Sequence, residues 1–509
     1  MVGRWEYDGM FIDGAWTSEG AAGIIEVIDP ATEEVIGSVL DAEPKAAHAA
    51  IVAARRAFDD GPWPKMSPRQ RASVLRRFAV ILDGNHDKLK ELVMAEAGSV
   101  GFLADIIQVR GTIDIAQWIA EAMEYAVAWT EVSPPSGGPT AMAGHAVVRE
   151  PVGVVAAITP FNFPFFLNIV KVLPALAAGC TVVLKPHQWT PLDAFEIAKA
   201  AEEAGLPPGV LNVIAGGAEL GAEMTAHPMV DMVTFTGSTA TGRAIMAAAA
   251  PTVKRLQLEL GGKSASIVLD DVPEAHVAGM GVLTSMIHAG QGCALQTRVL
   301  LPEHLLDAYV EGAKKSVAAL KVGDPREPDT LIGPLIREQQ RRRVEAYVAS
   351  GIDEGAELIF GGKRPEHLVK GFFYEPTLFI NARNDMRIAQ EEIFGPVLTV
   401  ITYTSEEEAI RIANDSIYGL GGGVVTANTA RGFNVARQIR AGNVSVQTVG
   451  AAVSNFAALG GSGPGWSADQ PGGVGITGVF GGFKQSGVGR EWGHHGIEEF
   501  TELKAIAWG

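Results

Sequence analysis

Four short apolar runs decide the fold of this chain: GVVAAIT (153–159), TVVLKP (181–186), VLNVIAG (210–216) and MVTFTG (232–237). A stretch with helical character follows each of them. Apolar runs of this length, bounded by turn residues, are typical of buried strands. Strands that alternate with helices form parallel sheets with helices on both faces. The pattern therefore predicts an α/β protein built on a parallel sheet.

The predicted fold extends from this region to both ends of the chain. An Asp13-Gly14 turn predicts an opening hairpin, and residues 44–60 place Ile51, Ala54 and Phe58 on one face of a helix. Four further regions are predicted: helices over 65–128, a strand at 143–150, a second α/β region from about 263 past 400, and a final strand at 501–508. Residues 451–479, with eight glycines, predict a long loop.

Composition excludes several classes of function. The chain has 509 residues, enough for two or three domains, and its 41 basic and 58 acidic side chains give a net charge of −17. Such acidity disfavours nucleic acid and anionic membranes as partners. The longest apolar run, 172–184, is too short to span a bilayer, and no leader-like segment opens the chain, so we expect a cytoplasmic protein. Two cysteines and no HExxH pattern lead us to assign no metal.

A candidate phosphate site lies at 233–243, VTFTGSTATGR. A predicted strand ends there in a glycine turn that opens a helix, so backbone N–H groups and the positive helix end point to one spot. The segment lacks the GxGxxG spacing. A plain strand-to-helix turn with Ser238 as the helix N-cap explains it equally well.

Two further residues are candidates for chemistry. Glu259 ends a strand-like run before two glycines, which let backbone approach a ligand closely, and a carboxyl group in an apolar setting can act as a general base. A capping or solvated glutamate is the alternative. Cys293 lies in GQGCALQTR (290–298), whose small residues fill no core and leave the sulfur and a backbone N–H open to a ligand. Cys180 instead fits the usual buried, inert cysteine.

Seven segments form a series along the chain: TPFNFP (159–164), LKP (184–186), FTGSTATG (235–242), ELGGK (259–263), GQGC (290–293), EEIFGPV (391–397) and FGGFKQSGVGRE (480–491). In this order they resemble the motifs of the NAD(P)-dependent aldehyde dehydrogenases of the hydrolytic, non-acylating type, over about residues 20–505. The resemblance implies the fold of that family, with a Rossmann-like cofactor domain, a second α/β catalytic domain and a small bridging β-sheet.

The resemblance also implies a mechanism. Cys293 would attack the aldehyde carbon as a thiolate, while the side-chain amide of Asn162 and the backbone N–H of Cys293 hold the oxyanion. After hydride transfer to the nicotinamide, Glu259 would activate the water that hydrolyses the thioester. Lys171 and Glu491 match a lysine and a glutamate proposed to relay protons behind this base. A solvated helix lysine is the alternative for Lys171.

A cofactor site and a substrate channel follow from the same resemblance. Lys185 matches the position that holds the adenosine ribose, Gly237 and Ser238 match those that hold the pyrophosphate, and Glu392 and Phe394 match those that fix the nicotinamide ribose and ring. The remaining predicted cofactor-binding residues are Thr159, Pro160, Phe161, Gln188, Gly242, Leu260 and Gly261. Phe163 and Phe480 match aromatic positions beside the aldehyde channel, although as core residues they would be equally ordinary.

Two departures from the family bear on cofactor and substrate. Gln188 stands where many NAD-preferring members have a glutamate that would repel a 2′-phosphate, so we expect NAD to be used and NADP to be tolerated. The stretch between Gln447 and Phe480 is much longer than in common members. We expect the loop 451–479 to lie over the channel mouth and to favour a bulky apolar aldehyde, with a subunit contact as the alternative.

The expected domains are a cofactor-binding domain of 1–129 and 150–262, a catalytic domain of 263–485, and bridging strands at 130–149 and 486–509. In the family such bridging sheets join subunits, and an exposed strand edge needs a partner, so we expect a homodimer or a tetramer.

Two rival functions were weighed against hydrolytic oxidation. A CoA-acylating aldehyde dehydrogenase releases its thioester to a thiol, and because some of these enzymes lack the glutamate, Glu259 favours hydrolysis. A catalytically silent structural or binding member would lack the nucleophile, the base or the oxyanion donor, whereas Cys293, Glu259 and Asn162 are all present.

Overall fold

The structure, a computed structural model, describes residues 5–138, 141–277, 279–449 and 478–509. The predicted loop 451–479 therefore lies outside the described residues except for its last two positions. The described strands form two large sheets and two small ones.

The strands are numbered in chain order: β1 Trp5–Tyr7, β2 Met10–Ile12, β3 Ala15–Thr17, β4 Ala21–Ile28, β5 Val35–Ala42, β6 Thr130–Gly138, β7 Ala141–Pro151, β8 Val154–Ile158, β9 Thr181–Lys185, β10 Leu211–Val213, β11 Met232–Thr236, β12 Arg255–Glu259, β13 Ala265–Val268, β14 Arg298–Pro302, β15 Glu357–Phe360, β16 Thr377–Ile380, β17 Val397–Tyr403, β18 Gly421–Thr426, β19 Asn443–Thr448, β20 Gly487–Val488 and β21 Thr501–Trp508.

The α-helices are α1 Pro44–Asp59, α2 Pro68–Gly84, α3 His86–Ala97, α4 Gly101–Leu103, α5 Gly111–Ala122, α6 Pro164–Ala178, α7 Leu192–Glu203, α8 Ala218–Ala226, α9 Thr239–Ala249, α10 Glu274–Val277, α11 Val282–Met286, α12 Leu306–Ala318, α13 Glu338–Asp353, α14 Arg387–Gln390, α15 Glu406–Asn414, α16 Thr429–Ala436 and α17 Gly493–Glu498. A π-helical stretch, Ala104–Arg110, joins α4 to α5, which confirms the mainly helical character predicted for 65–128. Short 3-10 turns lie at Trp63–Lys65, Ala250–Thr252, Ile287–Gly290, Glu303–Leu305 and Lys484–Ser486.

The larger sheet contains the four apolar runs. Its strand order is β20-β12-β11-β8-β9-β10-β2-β3, and the five strands from β12 to β10 are parallel. From β8 the chain moves to β9 and β10 on one side and then returns to β11 on the other. Ligands of open parallel sheets bind beside the carboxyl ends of the strands at such a switch point. The opening hairpin, β2 and β3, is confirmed and pairs with β10.

Helices cover both faces of this sheet. On α1, Ile51 and Ala54 are buried as predicted. Helix α6 is buried along almost its whole length, packs against α2 and α5, and leads from the carboxyl end of β8 back to β9. It begins at Pro164, whose fixed φ suits a first helical position, and ends before Gly179, whose φ of +100° closes the helix in the left-handed conformation. Local sequence therefore sets both ends of the element that follows TPFNFP.

The second large sheet has the order β15-β16-β17-β14-β13-β18-β19, with parallel pairing from β16 to β19. A small antiparallel sheet, β21-β7-β6, contains the strands predicted at 143–150 and 501–508, and both are confirmed. The strand β20, which lies in the segment 486–509, pairs instead with β12 of the larger sheet. The domain boundaries stay a prediction. Among the described residues, no helix combines the length and apolar character needed to cross a membrane.

Candidate active site

A cleft of about 430 Å³ opens at the carboxyl ends of β8, β9 and β11, beside the switch point of the larger sheet. We call it the strand-end cleft. The predicted cofactor-binding residues that line it are Thr159, Pro160, Phe161, Lys185, Gln188, Gly237 and Ser238. Sequence reasoning missed other lining residues, among them His187, Gly217 and Thr225. For His187 and Gly217, their position soon after β9 and β10 was the signal that could have revealed them, whereas Thr225 lies near the end of α8 and had no such signal.

The helix α9 begins at this cleft. Its N-cap is Ser238, whose Oγ accepts a hydrogen bond from the backbone N–H of Thr241 at 3.2 Å, so the predicted cap is confirmed. The first N–H groups of the helix lie at the cleft, where they and the helix dipole favour an anion. Gly242 does not line the cleft: a Cβ at this position would come within 2.6 Å of the Leu260 side chain, so the glycine lets α9 pack closely against that residue.

Two polar side chains of the strand-end cleft differ in their environment. Lys185 is buried at the end of β9, its Nζ donates to the carbonyl of Pro186 at 3.2 Å, and burial lowers its pKa to about 8. Gln188 is only partly buried and lies beside Gly217, where a Cβ would be 3.5 Å from its Oε1. A cation and an uncharged amide therefore face the same space.

A second group of residues lies between the two large sheets. We call Glu259, Gly262, Cys293 and Glu392 the intersheet seam. The backbone N–H of Gly262 donates to Oε1 of Glu392 at 3.0 Å, and a Cβ at Gly262 would lie 2.3 Å from the carbonyl oxygen of Cys293. A Cβ at Gly261 would lie 2.6 Å from Oε2 of Glu392. The glycines expected to approach a ligand thus pack against other parts of the protein and bring them together.

The thiol of Cys293 is only partly exposed, not in the open loop that its small neighbours suggested. Burial, together with the nearby carboxyl groups of Glu392 and Glu259, raises its pKa to about 12. Burial likewise raises the pKa of Glu392 to about 7. The sulfur is therefore a neutral thiol in this state and needs a proton acceptor to become a nucleophile. Cys180 is fully buried, as predicted, with its thiol 3.4 Å from the carbonyl of Phe500.

Glu259 is buried at the end of β12, which excludes the solvated alternative. Neither of its carboxyl oxygens has a hydrogen-bond partner in the described structure. Burial, followed by the nearby charge of Glu491, raises its pKa well above the ordinary value. Its backbone carbonyl accepts a bond from the N–H of Gly237 at 3.0 Å, which connects the seam to the strand-end cleft. A buried carboxyl without partners is free to exchange a proton with a bound molecule.

Lys171 and Glu491 form a buried ion pair behind Glu259. Nζ of Lys171 is 2.7 Å from Oε1 of Glu491 and 3.2 Å from Oγ1 of Thr234, and neither charged side chain is more than 2% exposed. The hydroxyl of Thr234 in turn donates to Oε1 of Gln257 at 2.6 Å. The solvated alternative for Lys171 is therefore wrong, because this side chain of α6 lies in the core and pairs there with the carboxylate of Glu491.

Asn162 is bonded at both its side chain and its backbone. Its Nδ2 donates to the carbonyl of Gln291 at 2.9 Å, two residues before Cys293. Its backbone carbonyl lies 2.6 Å from Nε2 of His288. An amide nitrogen has two N–H bonds, and in the described part of the chain only one of them has an acceptor. The segments 159–164 and 287–293 are thus tied together beside the thiol.

Aromatic rings surround this arrangement. Phe161 meets Phe394 edge to face at 5.7 Å, and Phe163 lies 5.0 Å from the ring of His288. Phe480 stacks on Trp492, with 4.5 Å between the ring centroids, and Trp492 is the residue that follows Glu491. Sequence reasoning missed His288 and Trp492. The available signal was their position beside the motifs GQGC (290–293) and FGGFKQSGVGRE (480–491).

One possible metal group occurs in the described part of the chain. Ligand atoms of His494, His495 and Glu498 lie within 4.8 Å of one another on α17, and none of the three belongs to the predicted site. The expectation that the protein has no metal stays a prediction.

Comparisons with known proteins agree with this geometry. The aldehyde dehydrogenase family matches residues 16–506. The chain is 41% identical to 3-succinoylsemialdehyde-pyridine dehydrogenase of a Pseudomonas species over 504 residues, 98% of each chain. It superposes with a TM-score of 0.90 on a Mycobacterium tuberculosis aldehyde dehydrogenase solved with NAD+, with 44% identity over 99% of this chain and 98% of that one. A Pseudomonas syringae aldehyde dehydrogenase solved with NAD+ and octanal gives a TM-score of 0.89, with 38% identity over 98% and 96% of the two chains. The predicted family fold is confirmed, and the chain belongs to the aldehyde dehydrogenase family.

Proposed function

We propose that this enzyme oxidises an apolar aldehyde to the carboxylic acid with NAD+, through a thioester on Cys293 that water hydrolyses. The observation that carries the proposal is the buried, unpartnered carboxyl of Glu259 beside the Cys293 thiol and the Asn162 amide. A base, a nucleophile and a hydrogen-bond donor meet in one place, which acyl-transfer chemistry requires.

The strand-end cleft suits a dinucleotide. It lies at the carboxyl edge of parallel strands, and the N-terminus of α9 is placed to hold a pyrophosphate. Lys185 and Gln188 bind the adenosine ribose, while Glu392 and Phe394 hold the nicotinamide end. When bound, NAD+ accepts the hydride that the aldehyde carbon releases. Two solved relatives contain NAD+, and NADP remains the second candidate because Gln188 carries no charge.

The first half-reaction begins at the thiol. Glu259, with its raised pKa, takes the proton from Cys293, and the sulfur attacks the aldehyde carbon to give a thiohemiacetal. The free N–H of Asn162 and the backbone N–H of Cys293 donate to the oxygen as it becomes negative. Each such donor contributes about 3–4 kcal/mol to the transition state. Loss of the hydride leaves a thioester.

The second half-reaction uses Glu259 again. It removes a proton from water, the water oxygen attacks the thioester carbon, and the carbon–sulfur bond breaks to release the acid and restore the thiol. The buried pair of Lys171 and Glu491 passes the proton away from Glu259, since their charges lie next to it and are screened from solvent. Glu259 also favours hydrolysis over transfer to CoA, because an activated water competes with a thiol acceptor.

The aromatic side chains favour an apolar substrate. Phe163 and Phe166 are partly buried, and Phe166 lies 6.2 Å from Trp492, which stacks on Phe480. These rings offer apolar surface and no charge to the substrate. A relative named for a pyridine-bearing semialdehyde and one solved with octanal support the same class. The predicted lid, 451–479, lies outside the described residues and contributes nothing to this proposal.

The small sheet supports an oligomer. Val132, Leu503, Ile506 and Trp508 are all exposed on its two edge strands, β6 and β21. Exposed apolar side chains on open strand edges are suited to a second copy of the chain. We therefore propose a homodimer or tetramer joined through 130–149 and 486–509, with the cofactor-binding domain of 1–129 and 150–262 and the catalytic domain of 263–485. The cytoplasmic location also stays a proposal.

Replacement of Cys293 by Ser tests the nucleophile. Because an alcohol is far less ionised than a thiol, we expect aldehyde-dependent NADH formation to fall by roughly a thousandfold or more. The Kd of NAD+, measured by fluorescence titration, should change little, which serves as the folding control. Retained turnover would contradict the assignment of Cys293.

Replacement of Glu259 by Gln separates the two half-reactions. We expect steady NADH formation to slow by about a hundredfold while the pre-steady-state burst of hydride transfer is less affected. Equal losses in both phases would confine Glu259 to activation of the thiol. Analysis of the products formed in the presence of CoA completes the test. An acyl-CoA product would mean that the enzyme transfers the acyl group to CoA and does not hydrolyse the thioester.

A further inference from the structure

We propose that His288 is a positioning residue for the reaction: its imidazole holds the backbone of Asn162 so that the Asn162 amide meets the oxygen of the substrate on Cys293. This inference rests on the proposed function, in which Asn162 donates to the oxyanion. His288 does not itself contact the reacting atoms. It lies three residues before Gln291 in the segment that carries the thiol, and its partner lies in the segment that follows β8.

The backbone at His288 is unusual. His288 and the next residue, Ala289, have φ values of +53° and +52°, so two consecutive non-glycine residues are left-handed. This conformation is unfavourable for residues with a side chain, and strain of this kind concentrates at functional sites. Histidine tolerates this conformation better than most side chains. From this strained turn the His288 ring reaches the segment 159–164, where it contacts the carbonyl of Asn162.

The hydrogen bond fixes the tautomer of the ring. A carbonyl oxygen can only accept, so Nε2, at 2.6 Å, must carry the proton. Burial lowers the pKa of His288 to about 4, so the ring is neutral at ordinary pH and Nδ1 is bare. In the described structure this buried Nδ1 has no partner. One nitrogen of the ring therefore makes a short hydrogen bond to Asn162, while the other stays buried without a partner, which is unfavourable.

Asn162 is held from two directions by one segment. His288 binds its carbonyl, and Gln291 accepts from its side chain at 2.9 Å. Gln291 is itself fixed, because its Nε2 donates to the carbonyl of His288 at 3.1 Å and its Oε1 accepts from the N–H of Ile336 at 2.9 Å. Removal of the imidazole therefore leaves the amide tethered only through its side chain. A donor displaced by a fraction of an ångström loses much of its effect on the transition state.

Two substitutions distinguish positioning from packing. His288→Asn keeps a side chain that tolerates the left-handed conformation but is too short to reach Asn162. His288→Gln places an N–H near the position of Nε2. We expect kcat/KM for the aldehyde to fall by about 10–100-fold in His288→Asn and to return to within about threefold of the wild type in His288→Gln. In His288→Asn the burst of hydride transfer should slow and the deuterium isotope effect on the aldehyde hydrogen should fall, because formation of the tetrahedral species, which breaks no C–H bond, becomes more rate-limiting.

Three measurements report whether the rest of the site is intact. The Kd of NAD+ and the rate of Cys293 alkylation by iodoacetamide should stay within about twofold of the wild type in both variants. His227→Asn, at a buried histidine in the turn after α8, is the matched control and should leave the burst unchanged. If His288→Asn does not fold, His288→Gly provides the same loss of the imidazole at a backbone conformation that glycine prefers.

The inference is overturned if His288→Asn and His288→Gln lose activity alike, or if the loss is accompanied by weaker NAD+ binding or altered thiol reactivity. Unchanged activity in His288→Asn or His288→Gly overturns it as well. Asn162→Ala separates this failure from failure of the proposed function. A loss of about 100–1000-fold in that variant, with a silent His288, would preserve the oxyanion role of Asn162 and remove only the role of His288.

Discussion

The strand-end cleft and the intersheet seam meet at Glu259, yet they are built in opposite ways. The cleft is lined by residues at the carboxyl ends of strands of one sheet and by the helices α8 and α9 that follow, and open space separates them. The seam joins four residues from three segments of the chain, with Gly262 packed against the carbonyl of Cys293. The cleft, where the cofactor is proposed to bind, contains open space. The seam, where the reaction is proposed to occur, is closely packed. An added methyl group in the seam should therefore lower activity, whereas one in the cleft should have little effect.

Two glycine-to-alanine changes test this difference, and the first should have the larger effect. In Gly262→Ala the new Cβ would lie 2.3 Å from the Cys293 carbonyl, so the backbone of the nucleophile must move. Displacement by about 1 Å can cost a hundredfold, and we expect a loss of that size in kcat/KM. In Gly217→Ala the Cβ would meet only Oε1 of Gln188, at 3.5 Å. There we expect less than a threefold change in the Kd of NAD+ and in kcat/KM.

The two results must differ for the comparison to hold. Thermal unfolding of both variants is the control, because Gly262→Ala should keep its two-state transition while losing activity. Equal kinetic effects would remove the difference between the two regions, and a large effect at Gly217 alone would show that the cleft is the more tightly packed one.

The same contrast explains how far the sequence could be interpreted. Strand runs, helix starts such as Pro164 and the cap at Ser238 were predictable because each depends on neighbouring residues. The seam was predictable only through the family resemblance, since no local pattern relates Glu259 to Glu392. The raised pKa of the Cys293 thiol could not be predicted either, because desolvation depends on residues that reach it from other segments. His288 was missed for the same reason: its partner, Asn162, lies in a distant segment.

Two further buried carboxyl groups, behind the cleft, sharpen the comparison. Thr159 lines the cleft and donates through Oγ1 to Asn168 at 2.6 Å, and Asn168 donates to Asp193 at 2.9 Å. Burial raises the pKa of Asp193 to about 7, and it also raises that of the adjacent Glu96, which accepts from the first N–H groups of α7. Neither carboxyl group is among the residues that line the strand-end cleft. We therefore expect Asp193 and Glu96 to affect the stability of the fold, whereas Glu259 affects catalysis.

The sign of this effect can be worked out. Because the folded pKa of Asp193 lies above the unfolded value of 3.8, the native state binds more protons between the two values, and stability is lost as the pH rises through about 7. From pH 6 to pH 8.5 the loss from this group is about 1.4 kcal/mol. Asp193→Asn, which keeps the shape and removes the charge, should have a flatter dependence of the unfolding free energy on pH. Parallel curves for the two proteins in urea unfolding would contradict the assignment.

The smallest effect we predict is at the outer wall of the cleft. Gln188 is partly exposed and uncharged, and the proposed ribose position lies beside it. In Gln188→Glu a carboxylate within about 4 Å of a 2′-phosphate costs roughly 1–4 kcal/mol, and exposure to solvent favours the lower end. We expect the NAD-to-NADP ratio of kcat/KM to rise about tenfold, almost wholly through weaker use of NADP. Gln188→Met, of similar size and without charge, is the control and should leave the ratio within about threefold. If Gln188→Glu leaves the ratio unchanged while both cofactors still support turnover, the ribose does not lie beside residue 188, and the cleft holds the dinucleotide in a different orientation.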